Sequence, residues 1–465
     1  MHTSLSGIID CLNVIDTILW SRCLVFLLIL VGAVLTIRLK GMQFTYLFYS
    51  LKLAFTRSDK DAEGDISQFQ SLMTALSATI GIGSIAGVAT AIMAGGLGAI
   101  FWMWVIALVG MATKYAEAIL AVKFRQVDAK GFMCGGPMYY IQSGLNWRFL
   151  AVAFAIFGAL SSFVGGNIIQ ANSIAIALKD LTGLSPVYSG IFFSVLTACI
   201  VLGGIQSIGK VSAYFVPIMA LLYVVGGIFI LYIKASLIPA CLYQIISSAF
   251  NGQAAVGGFL GAGIMAAIQM GVARGVSSNE AGLGSAPIAA AAAKTDVPGR
   301  QALISMTGVF LSSIVVCSIT ALVVGVTGVI GQFDKKGVVL NGAGLVMEAF
   351  KTVIPQGDAM VAIGVILFGY STIIGWAYYG EKCIEFLAGR WILMVYRLTF
   401  CLVVFLGAIM SFDVVWPLAD IMNGLMAFPN LIGLLFLVPQ VVQESEVFFA
   451  MLKQERLTKK TSFAR

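Results

Sequence analysis

The sequence predicts an all-α polytopic membrane protein of about eleven transmembrane helices, ten in two inverted five-helix halves and one additional helix at the N-terminus. Three observations predict it. The first is composition: the 465 residues are 60% hydrophobic and 11% charged. A soluble domain carries about 25% charged residues, and no aqueous fold could hide so much apolar surface. The second is a series of eleven apolar runs, each long enough to supply the roughly 20 residues a helix needs to cross a bilayer, and two of them too long and irregular to be simple helices. The third is that two of these runs are interrupted by Gly, Pro and polar residues at corresponding places in the two halves.

The runs follow in order. Run 19–37 stands outside the halves and, with the linker behind it, makes up residues 1–65. Runs 67–96, 98–122, 150–178, 187–204 and 211–233 form the first unit, 66–234. Residues 235–261 are less uniformly apolar, contain Asn251 and Gln253, and read as an extracellular surface helix or re-entrant loop. Runs 262–293, 301–330, 358–384, 391–411 and 415–440 form the second unit, 262–440. The 331–357 connection is polar enough to lie outside the bilayer, and 441–465 is a basic cytoplasmic tail.

Orientation follows from Lys and Arg, which gather on the cytoplasmic side. With the C-terminus inside and the N-terminus outside, the inner loops and tail hold nineteen basic residues, among them Arg57, Lys60, Lys210 and Arg465. The outer loops hold five: Lys179, Lys234, Lys335, Lys336 and Lys351. The net charge of +7 is therefore topogenic, and no nucleic-acid partner is needed to explain it. Eight scattered cysteines without a CxxC read as small core hydrophobes. The single histidine, His2, excludes a His-based metal centre or catalytic triad, and no catalytic residues are expected. No basic segment precedes the first apolar run, so no cleaved signal peptide is expected.

The interrupted runs carry the functional signal. Residues 78–87 read ATIGIGSIAG, with Gly81, Gly83, Gly87, Thr79 and Ser84 inside a span. Residues 273–287 read ARGVSSNEAGLGSAP, with Ser277, Ser278, Asn279, Glu280, Gly282, Gly284 and Pro287. Gly tolerates unusual dihedrals and Pro lacks an N–H, so both stretches break a helix. Irregular backbone at membrane depth survives only where it is buried in protein or lines a cavity. Freed N–H groups suit an anion, and freed carbonyls suit a cation. Gly81 and Gly282 are 201 residues apart, and Gln170 and Thr372, each in the third run of its half, are 202 apart. Interrupted segments at matching positions of inverted halves point to a transporter's binding site. The competing reading of the first stretch is close helix packing through Gly83-x-x-x-Gly87. The second resists it, because Asn279 and Glu280 are costly in a membrane. A nucleotide-binding reading of the same glycines fails, since no strand precedes them.

Further polar residues could line the site. Asn167, Gln170, Asn172 and Ser173 lie in one span, where amides also serve as glue between helices. Ser371 and Thr372 offer hydroxyl oxygens to a hard cation, and Thr372 and Trp376 share a helix face. Lys114 and Glu117, at i and i+3, are expected to pair, and Arg274 to neutralise Glu280, which is otherwise a proton or amine site. Asp413 and Asp420 fall near the start of the last span.

Four longer stretches, GGLGAIFWMWVIALVG (95–110), GNIIQANSIA (166–175), RGVSSNEAGLGSAPIAAAAAKTD (274–296) and GWAYYGEKCIEF (375–386), resemble the alanine/glycine:cation symporter family. The resemblance runs from about Phe69 to Pro439. It implies a LeuT-type five-plus-five inverted repeat with one additional helix. It also implies Na⁺-driven, sometimes H⁺-driven, uptake of alanine, glycine and similar small amino acids across a prokaryotic plasma membrane. The family's cradle for carboxylate and ion maps to Gly81, Gly83 and Ser84, its substrate pocket to Gln170, Thr372 and Trp376, and its second broken helix to Ser278–Gly284. Two departures stand out. The family's GTGNIAG is GIGSIAG here, so Ile82 and Ser84 replace Thr and Asn. A family His in the APIAAAAAK segment is Ala here.

The expected protein is thus a multi-pass symporter that needs no cofactor beyond the transported Na⁺. Its expected substrate-binding residues are Thr79, Gly81, Gly83, Ser84, Gln170, Ser278, Asn279, Gly282, Thr372 and Trp376. Its expected cation-binding residues are Gly81, Ser84, Ser371 and Thr372. A channel is the alternative, but two unlike breaks within one chain favour a carrier over a pore built by oligomeric symmetry. An intramembrane enzyme would need a nucleophile–base set, and none is evident.

Overall fold

Helix occupies all eleven predicted runs in the computed structural model, which describes residues 7, 11–12, 14–56, 62–251, 263–334, 337–410 and 415–463. Gln253, Arg57, Lys60, Lys335, Lys336, Asp413 and Arg465 lie outside the described residues.

The additional helix runs through a π segment, Leu19–Leu24, into α1 (Val25–Arg38). The first interrupted run is two helices, α2 (Gln68–Thr79) and α3 (Ala86–Gly95). Then come α4 (Gly98–Lys123), a small hairpin of β1 (Gln126–Val127) and β2 (Met133–Cys134), α5 (Pro137–Leu145), α6 (Arg148–Thr182), α7 (Pro186–Val201) and α8 (Gly204–Ile233). After α9 (Ile238–Asn251), the second interrupted run is α10 (Ile264–Asn279) and α11 (Ala286–Ala291). The chain continues as α12 (Pro298–Thr327), α13 (Gly342–Lys351), α14 (Gly357–Ala388), α15 (Leu393–Ile409) and α16 (Val415–Phe463).

Seven of these helices, among the described residues, are continuous, long and apolar enough to cross a membrane: α4, α6, α8, α12, α14, the Arg390–Ile409 stretch ending α15, and most of α16. The helices α1, α3 and α7 are apolar but shorter. Continuous helix length alone therefore does not return eleven crossings, because two runs are broken and two others are short.

Three segments gain detail in the structure. Residues 441–463 continue α16, which runs helically through Pro429 and Pro439 for 49 residues. It is held along the protein by Lys123–Glu444 and Arg300–Glu455, at 2.8 and 2.9 Å. The 331–357 connection forms α13, which buries Leu345, Val346, Ala349 and Phe350 against α3 and α14. The described part of 235–261 is α9, laid against the start of α4, where the Trp102 indole donates to the Ala249 carbonyl at 3.3 Å. A side chain at Gly98 would meet the Ser248 and Ala249 backbone at 2.6 Å, so glycine permits this approach.

The helices divide by their neighbours. α4 packs along α10 and α12, whereas α14 packs along α6. The broken helix α2 lies between the two groups, touching α14 and α8 on one side and α11 and α12 on the other.

Candidate functional site

The first break begins where α2 stops. The Thr79 hydroxyl donates back to the Ala75 carbonyl at 3.0 Å, Gly81 is extended, and Ile82–Ser84 make one 3-10 turn before α3. A Cβ on Gly81 would run into the Thr372 hydroxyl. Gly375 permits the same closeness one turn on, where a Cβ would meet Ser77 and Ala78 at 2.8–2.9 Å. The end of α2 and the middle of α14 are thus pressed together through small residues. Thr372 and Ser371 share this seam: both hydroxyls reach the Phe368 carbonyl at 2.9 Å and the Ser77 carbonyl at 3.1 and 3.2 Å.

The second break needs left-handed backbone: Glu280 has φ +56°, Gly282 +90° and Gly284 +82°. Its polar groups are met one by one, as buried backbone requires. The Asn279 carboxamide accepts from the Ala281 N–H at 2.8 Å and donates to Ser313 at 3.1 Å. Glu117 accepts from the Gly282 N–H at 3.1 Å and from Asn430 at 2.7 Å, while Asn430 also donates to the Gly282 carbonyl at 2.9 Å. The expected Lys114–Glu117 contact pair does not form, because Glu117 is turned to the break. The Lys114 ammonium makes no hydrogen bond among the described residues. It faces a void of about 10 Å³ beside Thr79, room for about one water.

Arg274 likewise does not pair with Glu280. Its guanidinium binds Asp420 of α16 through two contacts, at 2.8 and 3.2 Å, and lies over the Trp416 ring. Glu280 instead accepts from the Ser285 hydroxyl at 2.7 Å.

Between the breaks lies a cavity with about 60 Å³ of space for water, enough for a small molecule since one water needs about 10–15 Å³. Six expected residues line it: Thr79, Gly81, Gly83, Gln170, Thr372 and Trp376. The other five stand behind the wall. Ser84 is fully buried, and its carbonyl already accepts from Thr320 at 3.0 Å. Ser278 bonds to Gly275 and Ser313, Asn279 and Gly282 are held as described above, and Ser371 faces the α2 seam. Asn167 and Asn172 are glue, donating to carbonyls of Phe400, Gly407 and Met410.

The cavity also includes residues that the sequence expectation omitted. Gly165 comes from a π turn in α6, Val164–Ile168, and Ile169 follows it directly. The freed Gly165 carbonyl accepts from the Gln170 amide at 3.1 Å, leaving the Gln170 oxygen without a partner among the described residues. Ser277 of α10 and Trp416, Asp420 and Asn423 of α16 complete the wall. The polar Asp420 and Asn423 within an apolar span were the available signal. The π turn has none, because its residues keep the apolar pattern of a helix.

Two broken helices meeting at a small, mixed-charge cavity inside an apolar helical molecule define a secondary transporter. The chain belongs to the sodium:alanine symporter family, whose model matches residues 6–463. It is a sodium-coupled amino-acid symporter of the multi-pass membrane class, and not an enzyme. It is 50% identical to the sodium/alanine symporter AgcS of Methanococcus maripaludis, over 96% of this chain and 98% of that one. It is 34% identical to the amino-acid carrier protein AlsT of Bacillus subtilis, over 90% and 88%. In fold it is similar to the transporter MhsT crystallised with L-phenylalanine, at a TM-score of 0.55 and 13% identity, covering 83% of this chain and 99% of that one.

Proposed function

We propose that the protein takes up small neutral amino acids, alanine and glycine foremost, together with Na⁺ by alternating access in a prokaryotic cell membrane. The observation that carries this reading is the small cavity between the breaks, with Thr372, Gln170, Glu280 and Trp376 on its wall. The substrate carboxylate meets N–H groups around Gly81 and Gly83. Glu280 and the unpartnered Gln170 oxygen receive the amine. Trp376 closes over the side chain. Oxygens of Gly81, Ser371 and Thr372, beside the Ser77 carbonyl, supply the cation site. Ser84, Ser278, Asn279 and Gly282 act from behind by fixing the shape of the two breaks. No cofactor takes part. The N-terminus lies outside and the C-terminus inside.

Uptake of labelled L-alanine, D-alanine and glycine into proteoliposomes, with and without an inward Na⁺ gradient, tests this. Accumulation that needs the gradient and is lost in Thr372→Ala and Trp376→Ala supports it. Accumulation driven only by a pH gradient would replace Na⁺ by H⁺. No gradient-dependent accumulation of any of the three would overturn the assignment of substrate.

A further inference from the structure

The segment leading into α2 and the segment leaving α11 lie side by side as a short parallel ladder. Ile66 and Ala293 are bridge partners. The Asp65 N–H donates to the Ala292 carbonyl at 2.9 Å, Lys294 N–H to Ile66 at 2.8 Å, and Thr295 N–H to Glu63 at 3.1 Å. Gly64 sits so close that a Cβ would meet the Ala293 oxygen and Lys294 nitrogen at 2.5 Å. The Ser71 hydroxyl joins the first turn of α2 to the Ala289 carbonyl of α11 at 2.9 Å.

Arg125, just beyond α4, closes over this ladder. One guanidinium nitrogen donates to the carbonyls of Ala293, at 2.9 Å, and Ala291, at 3.4 Å. The other donates to Thr295, at 2.9 Å, and Glu63, at 3.2 Å. One side chain therefore holds carbonyls of the segment leading into α2 and of the end of α11 and the segment leaving it, a task suited to a planar fork of donors. The hairpin that follows is tied to the ladder by its Met133 N–H, which donates to the Asp65 carboxylate at 2.9 Å, and it also faces α14. Asp128 contacts Arg390, and the Lys382 ammonium lies 3.2 Å from the Cys134 sulfur and 2.8 Å from Glu385. Arg125 thus fastens elements of the broken-helix group to one another, while the side-chain contacts of the hairpin join that group to the α14 group.

We infer that Arg125 is a positioning residue for transport: it binds the inner ends of the two broken helices into one piece that does not part, so the inner path opens along the seam between the hairpin and α14. The inference rests on the symport reading and on its inward-facing assignment of this end. A gate at the ladder itself would require breaking its backbone bonds and four guanidinium contacts in every cycle. A seam of side-chain contacts asks less.

Ile66→Cys with Ala293→Cys, oxidised by diamide across the ladder, tests this in proteoliposomes. The inference expects Na⁺-driven alanine uptake as fast oxidised as reduced. Uptake abolished by oxidation and restored by reduction would overturn it. Arg125→Gln is expected to lower Vmax about tenfold, the worth of one charge-assisted hydrogen bond, with KM unchanged and Arg125→Lys recovering part of the loss. Unaltered Vmax in Arg125→Gln would also overturn it. Hydrogen exchange of the wild-type protein gives a readout that needs no transport. The amides of Asp65, Ile66, Lys294 and Thr295 should stay protected with and without Na⁺ and alanine, and Arg125→Gln should expose both segments together. Exposure of the wild-type ladder on adding Na⁺ and alanine would refute the single piece even if the identity of the cargo proved different.

Discussion

Thr372 and Gly81 meet so closely that each residue limits the other. The Thr372 hydroxyl occupies the space a Cβ on Gly81 would take, with the threonine Cβ and Cγ2 next nearest at 3.4 and 3.5 Å. Gly81→Ala should therefore destabilise the detergent-purified protein by about 1–3 kcal/mol, the range for overpacking a tight core. The same change on a Thr372→Ala background should cost clearly less. Thermal unfolding of the four proteins of the cycle measures the coupling, and strict additivity would show that the two side chains do not share the space. Trp376 makes the corresponding contact with Gly166, where a Cβ would strike the indole. If Trp376 bounds the cargo, Trp376→Leu should raise the uptake of longer amino acids relative to alanine, by about tenfold for one or two methylenes of added room. Competition against labelled alanine would read this, and an unchanged ranking would remove Trp376 from the specificity wall. Gln170, Thr372 and Trp376 were legible in the sequence because a polar group or a large ring in a membrane helix must have a reason. Glu117 was not, since its partners Gly282 and Asn430 stand 165 and 313 residues away.

Both breaks were legible as elements, since Gly, Pro and polar residues cannot continue a helix in hydrocarbon at no cost. What holds them open was not. A helix that stops inside the membrane leaves N–H and C=O groups that must be met. The second break meets them through Glu117 and Asn430, which come from two other helices. Asn430→Ala should strand both the Gly282 carbonyl and the Tyr140 hydroxyl, which donates to the Asn430 side chain, and leave Glu117 only the Gly282 N–H, costing about 3 kcal/mol for two buried groups. Thr327→Ala removes a hydroxyl that serves only its own helix through Val323 and Val324, and should cost under about 1 kcal/mol. Equal losses in thermal unfolding would mean that Asn430 does not support the break. The π turns at Val164–Ile168 and Phe310–Cys317 were illegible for a related reason. A single widened turn leaves the run of apolar residues intact, so hydropathy passes over it. The last apolar run ends at 440 in the sequence, whereas α16 runs on helically past Pro439, braced by Lys123–Glu444 and Arg300–Glu455.

The whole molecule is the scale at which the sequence speaks most plainly, because bilayer crossing depends on composition rather than on which helix touches which. The two groups of helices and the ladder under Arg125 emerge only once distant segments are placed together. Orientation follows from charge. Nineteen basic residues on one side of the predicted topology against five on the other is a bias that sets the direction of insertion. Omitting any one crossing would move every later loop to the opposite face and mix the two sets, so the bias also tests the number of crossings. Lys179 and Lys210 bracket α7, which the predicted topology crosses once, and both side chains are exposed. In a background lacking the exposed Cys11, Cys23 and Cys199, Lys179→Cys should react with a membrane-impermeant maleimide added to whole cells. Lys210→Cys should react only after the membrane is opened. The reverse pattern would turn the protein over and place the Arg125 ladder on the outer face. Labelling of both from outside would mean that α7 does not cross, and the five-helix halves would then fail as a description of the chain.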